Sequence, residues 1–80
     1  MIGKRFENVS GKRIQIPNRL SSEFHWSPGE RIEIMYPIEV GTSPGFIVRN
    51  LDYRGIHRAH ETAWINKETL EQSFKEIENE

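Results

Sequence analysis

Apolar and polar residues alternate most clearly over residues 30–36, where Ile32, Ile34 and Tyr36 fall on one side and Arg31, Glu33 and Met35 on the other. That period of two predicts a half-buried strand ended by Pro37. Residues 13–17 repeat the pattern with Ile14 and Ile16, and Pro17 stops it because proline has no N–H for a ladder. Residues 4–9, 46–51 and 56–64 read as further strands. Between the first two alternating runs the period changes. Leu20 and Phe24 lie four apart, which predicts one helical turn over residues 19–25, capped by Asn18 and plugged by Trp26. Ser27-Pro28-Gly29 predicts a tight turn. Residues 38–45 read as a loop or an arm, and Asp52 to Gly55 as a hairpin turn. Leu70, Phe74 and Ile77 form a stripe at spacings of four and three, predicting a C-terminal helix over residues 67–76 with Asn66 as its cap.

The pattern amounts to a mostly β fold with one short helical turn and a C-terminal helix. The 80 residues suffice for a single small domain, 1–80. A lone chain of this size buries only about 60% of its unfolded surface, so a homodimer is the expected way to enlarge the core. Leu20, Phe24, Trp26, Ile32 and Ile34 are the expected shared core. No cysteine is present, which removes disulfides and thiolate metal sites and agrees with a cytoplasmic location. No apolar run approaches the roughly 20 residues that span a bilayer, and the N-terminal residues do not read as a signal peptide.

The formal charge of −1 conceals a basic head and an acidic tail. Up to Arg19 only Glu7 opposes Lys4, Arg5, Lys12, Arg13 and Arg19. Beyond Ala63, five glutamates face Lys67 and Lys75. Catalytic chemistry finds little footing. His57, His60 and His25 do not make the H-E-x-x-H pattern of a zinc helix. Ser43, His57 and Asp52 lack a nucleophile-elbow context. The glycines are too scattered for a phosphate loop. The expectation is no enzyme, no cofactor and no metal.

The spacing over residues 11–34 resembles the looped-hinge, swapped-hairpin DNA-binding domain of the AbrB and MazE type. Ile16-Pro17 stands for that family's Ile-Pro, Leu20 and Phe24 for the leucines of its turn, and Trp26 for the apolar residue before its second strand. Pro28-Gly29-Glu30 stands for Pro-Gly-Asp, and residues 31–34 for the strand that follows. The likeness covers about residues 11–50 and leaves 66–80 as a helix with an acidic tail. It implies two chains exchanging hairpins, and a DNA-binding regulator or antitoxin-like protein in a toxin–antitoxin or phage setting. Carried over by position, Lys12, Arg13 and Arg19 would meet phosphates, joined by Lys4 and Arg5. Gln15 and Asn18 can donate and accept at base edges.

The same strands also suit a small SH3-like barrel, with five short strands and Gly-rich turns. That alternative implies a non-enzymatic protein-interaction module or inhibitor. On either reading the stripe of Leu70, Phe74 and Ile77 would pack on its own sheet, pack across the dimer or touch a protein partner. The two readings share their residues and differ in function.

Overall fold

The computed structural model describes residues 2–17, 25–53 and 61–77. Seven strands and one helix follow in the order β1 (Arg5–Asn8), β2 (Ile14–Gln15), β3 (His25–Trp26), β4 (Arg31–Pro37), β5 (Gly45–Asn50), β6 (Thr62–Asn66), α1 (Lys67–Ser73) and β7 (Phe74–Ile77). Five of the strands form one antiparallel sheet in the order β6-β5-β4-β1-β7, and β2 and β3 pair as a separate ribbon.

The expected barrel, SH3-like or swapped-hairpin-like, is corrected by this arrangement: the sheet is open. β6 and β7 are its two edges, each with a single neighbour. Instead of a hydrogen-bonded seam, α1 links them and packs against β5, β6 and β7. A helix satisfies its own backbone, so it can bridge two edges without pairing either.

The alternation in β4 sends Ile32 and Ile34 into the core at 0% and 1% exposure. Phe6, Val48, Ala63 and Ile65 join them from β1, β5 and β6. The ribbon adds Ile16 and Trp26, and the C-terminal segment adds Leu70 and Phe74. Trp26 is fully buried, its ring edge-on to Phe74 at 5.6 Å between centroids. Its indole N–H donates to Asn50 Oδ1 at 2.8 Å, so the buried polar handle is satisfied. Asn8, also buried, ties β1 to the ribbon: its Nδ2 donates to the carbonyls of Trp26 and Lys12, and its Oδ1 accepts from the N–H and hydroxyl of Ser10.

Several expectations meet their outcome here. Ser27 to Glu30 is a turn closed by Glu30 N–H to Ser27 C=O at 3.0 Å, with Gly29 at φ 87°. Proline then glycine at the two central positions suits a type II turn, whose third residue needs positive φ. Asn66 caps α1, accepting from Thr69 N–H at 2.6 Å. The helix, however, stops at Ser73. Phe74 is extended, at φ −118° and ψ 150°, and Phe74–Ile77 runs as β7 beside β1. The four-residue step from Leu70 to Phe74 still puts both side chains in the core, one from a helix and one from a strand. Tyr36 does not share the face of Ile32 and Ile34. The register with β5 shifts between Ile34 and Tyr36, and that irregularity turns Tyr36 outward. The helical turn expected over residues 19–25 lies outside the described residues up to position 24, and His25 begins β3. Leu20 and Phe24 are outside them as well, whereas Trp26, Ile32 and Ile34 are enclosed in the core of one chain.

Candidate interaction face

The side of the sheet turned away from the core is built in rows, because cross-strand partners share a face. Lys75, Glu7 and Arg31 make one row. Ile77, Arg5, Glu33, Arg49 and Thr62 make the next. Charges alternate along both. Arg49 Nη2 lies 2.8 Å from Glu33 Oε1, and Arg5 Nε lies 3.6 Å from the same oxygen. One carboxylate thus serves two guanidinium groups. Arg31 turns to Asp52, which accepts from its Nη2 at 2.8 Å, from its Nε at 3.2 Å and from its backbone N–H at 2.7 Å. The hydrogen bond and then the charge of Asp52 raise the Arg31 pKa above its ordinary value.

Further along the same face the chemistry changes. The next row is Tyr36, Ile47 and Trp64. Beyond it β4 and β5 continue as an arm. Ile38 N–H donates to Gly45 C=O at 3.0 Å, and Val40 and Ser43 exchange backbone bonds at 3.0 and 3.1 Å. Two anchors fix the arm to the body. Trp64 Nε1 donates to Ile38 C=O at 3.0 Å, and Lys67 N–H donates to Pro44 C=O at 2.9 Å. Gly45 makes the first anchor possible. A Cβ there would sit 2.5 Å from both the Trp64 ring and the Ile65 carbonyl oxygen, so only glycine lets the indole lie this close. Despite the anchoring, Tyr36, Ile38 and Val40 are 47%, 44% and 46% exposed. Beside them Pro37, Ile38, Glu39, Pro44, Gly45 and Phe46 line an open groove of about 290 Å³.

The basic residues singled out by the sequence do not form one footprint. Lys4 reaches Glu76 across the edge, Nζ to Oε2 3.5 Å. Arg5 is shared with Glu33 in the charged row. Lys12, Arg13 and Gln15 are exposed at the ribbon. Among the described residues the side chains of Lys12 and Arg13 form no ion pair. Asn18 and Arg19 lie outside the described residues. Leu70 and Phe74, considered for a protein partner, are 1% and 5% exposed and belong to the chain's own core, with Ile77 half-buried on β7.

Sequence reasoning missed the row of Tyr36, Ile47 and Trp64. The signal was present in residues 35–40, where Met35, Tyr36, Ile38 and Val40 are more apolar than a solvated loop requires. Of the catalytic candidates, Asp52 is engaged with Arg31 and Ser43 closes the arm's tip, while His57 and His60 lie outside the described residues. Among the described residues no three His, Asp or Glu side chains are grouped to hold a metal. No helix among them is long and apolar enough to cross a membrane. No family model, curated protein or solved structure matches this chain.

Proposed function

We propose that the protein is a small, non-enzymatic interaction module that takes another polypeptide on the arm end of its sheet. The observation that carries this reading is the arm itself. Backbone pairs, the Trp64 indole and Lys67 N–H hold it in one place, yet it presents Tyr36, Ile38 and Val40 to water. Exposed apolar side chains grouped on an ordered element mark an interaction surface. Holding them in place beforehand lowers the ordering cost of binding.

Selection of peptides displayed on phage against the immobilised protein tests the reading. Sequences should be enriched whose binding falls at least about tenfold with Ile38→Glu and is unchanged with Val9→Glu, an exposed valine away from the arm. No enrichment, or enrichment indifferent to Ile38, overturns it.

A dimeric DNA-binding regulator is the second reading, and one observation favours it: Lys12 and Arg13 keep their charges unmatched by any described carboxylate. A duplex titration at two salt concentrations separates the readings. DNA binding through these residues would weaken with salt and fall on every sequence when both become alanine.

A further inference from the structure

We infer that the polypeptide partner binds as an extended strand added to the outer edge of β6, a claim that rests on the interaction-module reading and gives it a mode of contact. The backbone of β6 is set out for this addition. Asn50 N–H donates to Glu61 C=O at 2.6 Å and Lys67 N–H to Pro44 C=O at 2.9 Å, one at each end of the β5–β6 ladder. Bonded pairs alternate along an antiparallel ladder, so Ala63 and Ile65 point their N–H and C=O groups at β5. Thr62 and Trp64 therefore point theirs outward, as does the Asn66 N–H. Among the described residues no strand lies on that side to receive them. Donors and acceptors at every second residue of an extended line are the complement of another strand.

The other edge suits addition poorly. Val9 N–H donates to Ser73 C=O, so by the same alternation Phe74 and Glu76 are the outward residues of β7. The Phe74 N–H is already spent on Leu70 C=O at the end of α1. Lys75 and Glu76 are exposed charges, of the kind that protects an edge from pairing. β6, Thr-Ala-Trp-Ile-Asn, has neither a charge nor a proline.

The side chains indicate what the added strand carries, and why it is not a second β6. Trp64 leans back across β5: its ring lies over Gly45, and its Nε1 donates to Ile38 C=O at 3.0 Å. The outer face above the new seam is left open. A second β6 centred on the same residue would set two such indoles back to back, with the space between them unfilled. A different segment fills it with an apolar side chain opposite Trp64, adding a member to the Tyr36–Ile47–Trp64 row. The line of addition also leads to the arm. At Lys67 the chain turns into α1 and leaves the edge to Pro44. Pro44 lines both the arm groove, with Ile38, and a further opening of about 320 Å³, with Asn66, Lys67 and Glu71. A segment running along β6 past Asn66 arrives at both.

The Ile38-dependent peptides from the phage selection, synthesised free, are the probes of the full chain. Bound peptide should slow amide exchange at Trp64 and Asn66 at least about tenfold and leave Ala63 and Ile65, already in the ladder, as they were. Thr62→Pro removes an outward donor without touching the β5 ladder and should weaken binding at least about tenfold, whereas Glu76→Pro on β7 should not. N-methylation of the peptide keeps the test independent of how the variants fold: methyl groups on one set of alternate residues should abolish binding, and on the other set should not. Peptides that need Ile38 but bind Thr62→Pro as tightly as the wild type, with Trp64 exchange unchanged, overturn strand addition and leave the module reading standing. Slowed exchange at Trp64 in the concentrated chain alone, lost on dilution, overturns it in favour of a second copy. A selection that yields no peptide overturns the module reading, and strand addition with it.

Discussion

The two ends of the outer sheet face have the same backbone and opposite side-chain economies. At one end, Arg5 and Arg49 find Glu33 and Arg31 finds Asp52, so each of these three arginines has a carboxylate neighbour. At the other, Tyr36, Ile38 and Val40 find water. The charged end is complete as a surface, since a hydrated ion pair gains little from being covered and costs something to desolvate. The apolar end is unfinished, since covering it is favourable in proportion to the area removed from water. The irregularity between Ile34 and Tyr36 marks the border. A shift of a single residue there brings to the outer face an aromatic ring that unbroken alternation would have kept inside.

The contrast can be broken most severely from beneath, through the core that both ends share. Trp26→Ala removes a fully buried indole, its edge contact with Phe74 and its bond to Asn50. The expected cost is about 3–5 kcal/mol, and for a marginal domain that means a largely unfolded chain at room temperature. Urea unfolding followed by far-ultraviolet circular dichroism measures it. Gly45→Ala acts where the arm meets β6. Its new methyl would collide with the Ile65 carbonyl and the Trp64 ring, so the anchor must shift. A loss of about 1–3 kcal/mol is expected. Faster amide exchange at Ile38 and Val40 than at Ile32 would show that the damage lies in the arm, and uniform exchange would deny the arm its separate anchoring.

Smaller effects sharpen the same comparison. Arg49→Ala removes one of the two cations on Glu33, but the pair is half exposed and Arg5 remains. The change in stability should stay within about 1 kcal/mol and shrink further as salt rises. Ile38→Thr should leave stability within about 0.5 kcal/mol, because its side chain is already in water, and should act only on association. A denaturant midpoint lowered by Ile38→Thr as much as by Gly45→Ala would show the arm to be structural rather than a surface for binding.

What the sequence disclosed was local. Ile32 and Ile34 alternate with charges, Pro28-Gly29 names its turn, and Asn66 sits where a helix needs an acceptor, each signal spanning only a few residues. What it concealed was set by pairing across the sheet. Leu70, Phe74 and Ile77 fit a helical stripe as well as a helix followed by a strand. Only the empty side of β1 decides for the strand. The basic residues were easy to read, but their neutralisation was not, because Glu33 and Glu76 reach Arg5 and Lys4 from distant segments. The register shift at Tyr36 has no sequence signature of the Gly kind, so the apolar row it completes could not be read in advance.

The pairing of β7 with β1 has a consequence in time. Arg5 lies opposite Ile77, so β1, made before the other four strands of its sheet, acquires its outer neighbour only once β7, the last of them, has been made. The β4–β5 and β5–β6 hairpins can form from nearby segments, whereas this last seam must close the longest loop in the fold. Such distant pairing slows folding more than it affects final stability. Until it forms, β1 presents an unpaired edge, a template on which another nascent strand can settle. The late arrival of Phe74–Ile77 therefore sets the interval during which the emerging chain is most exposed to misassembly.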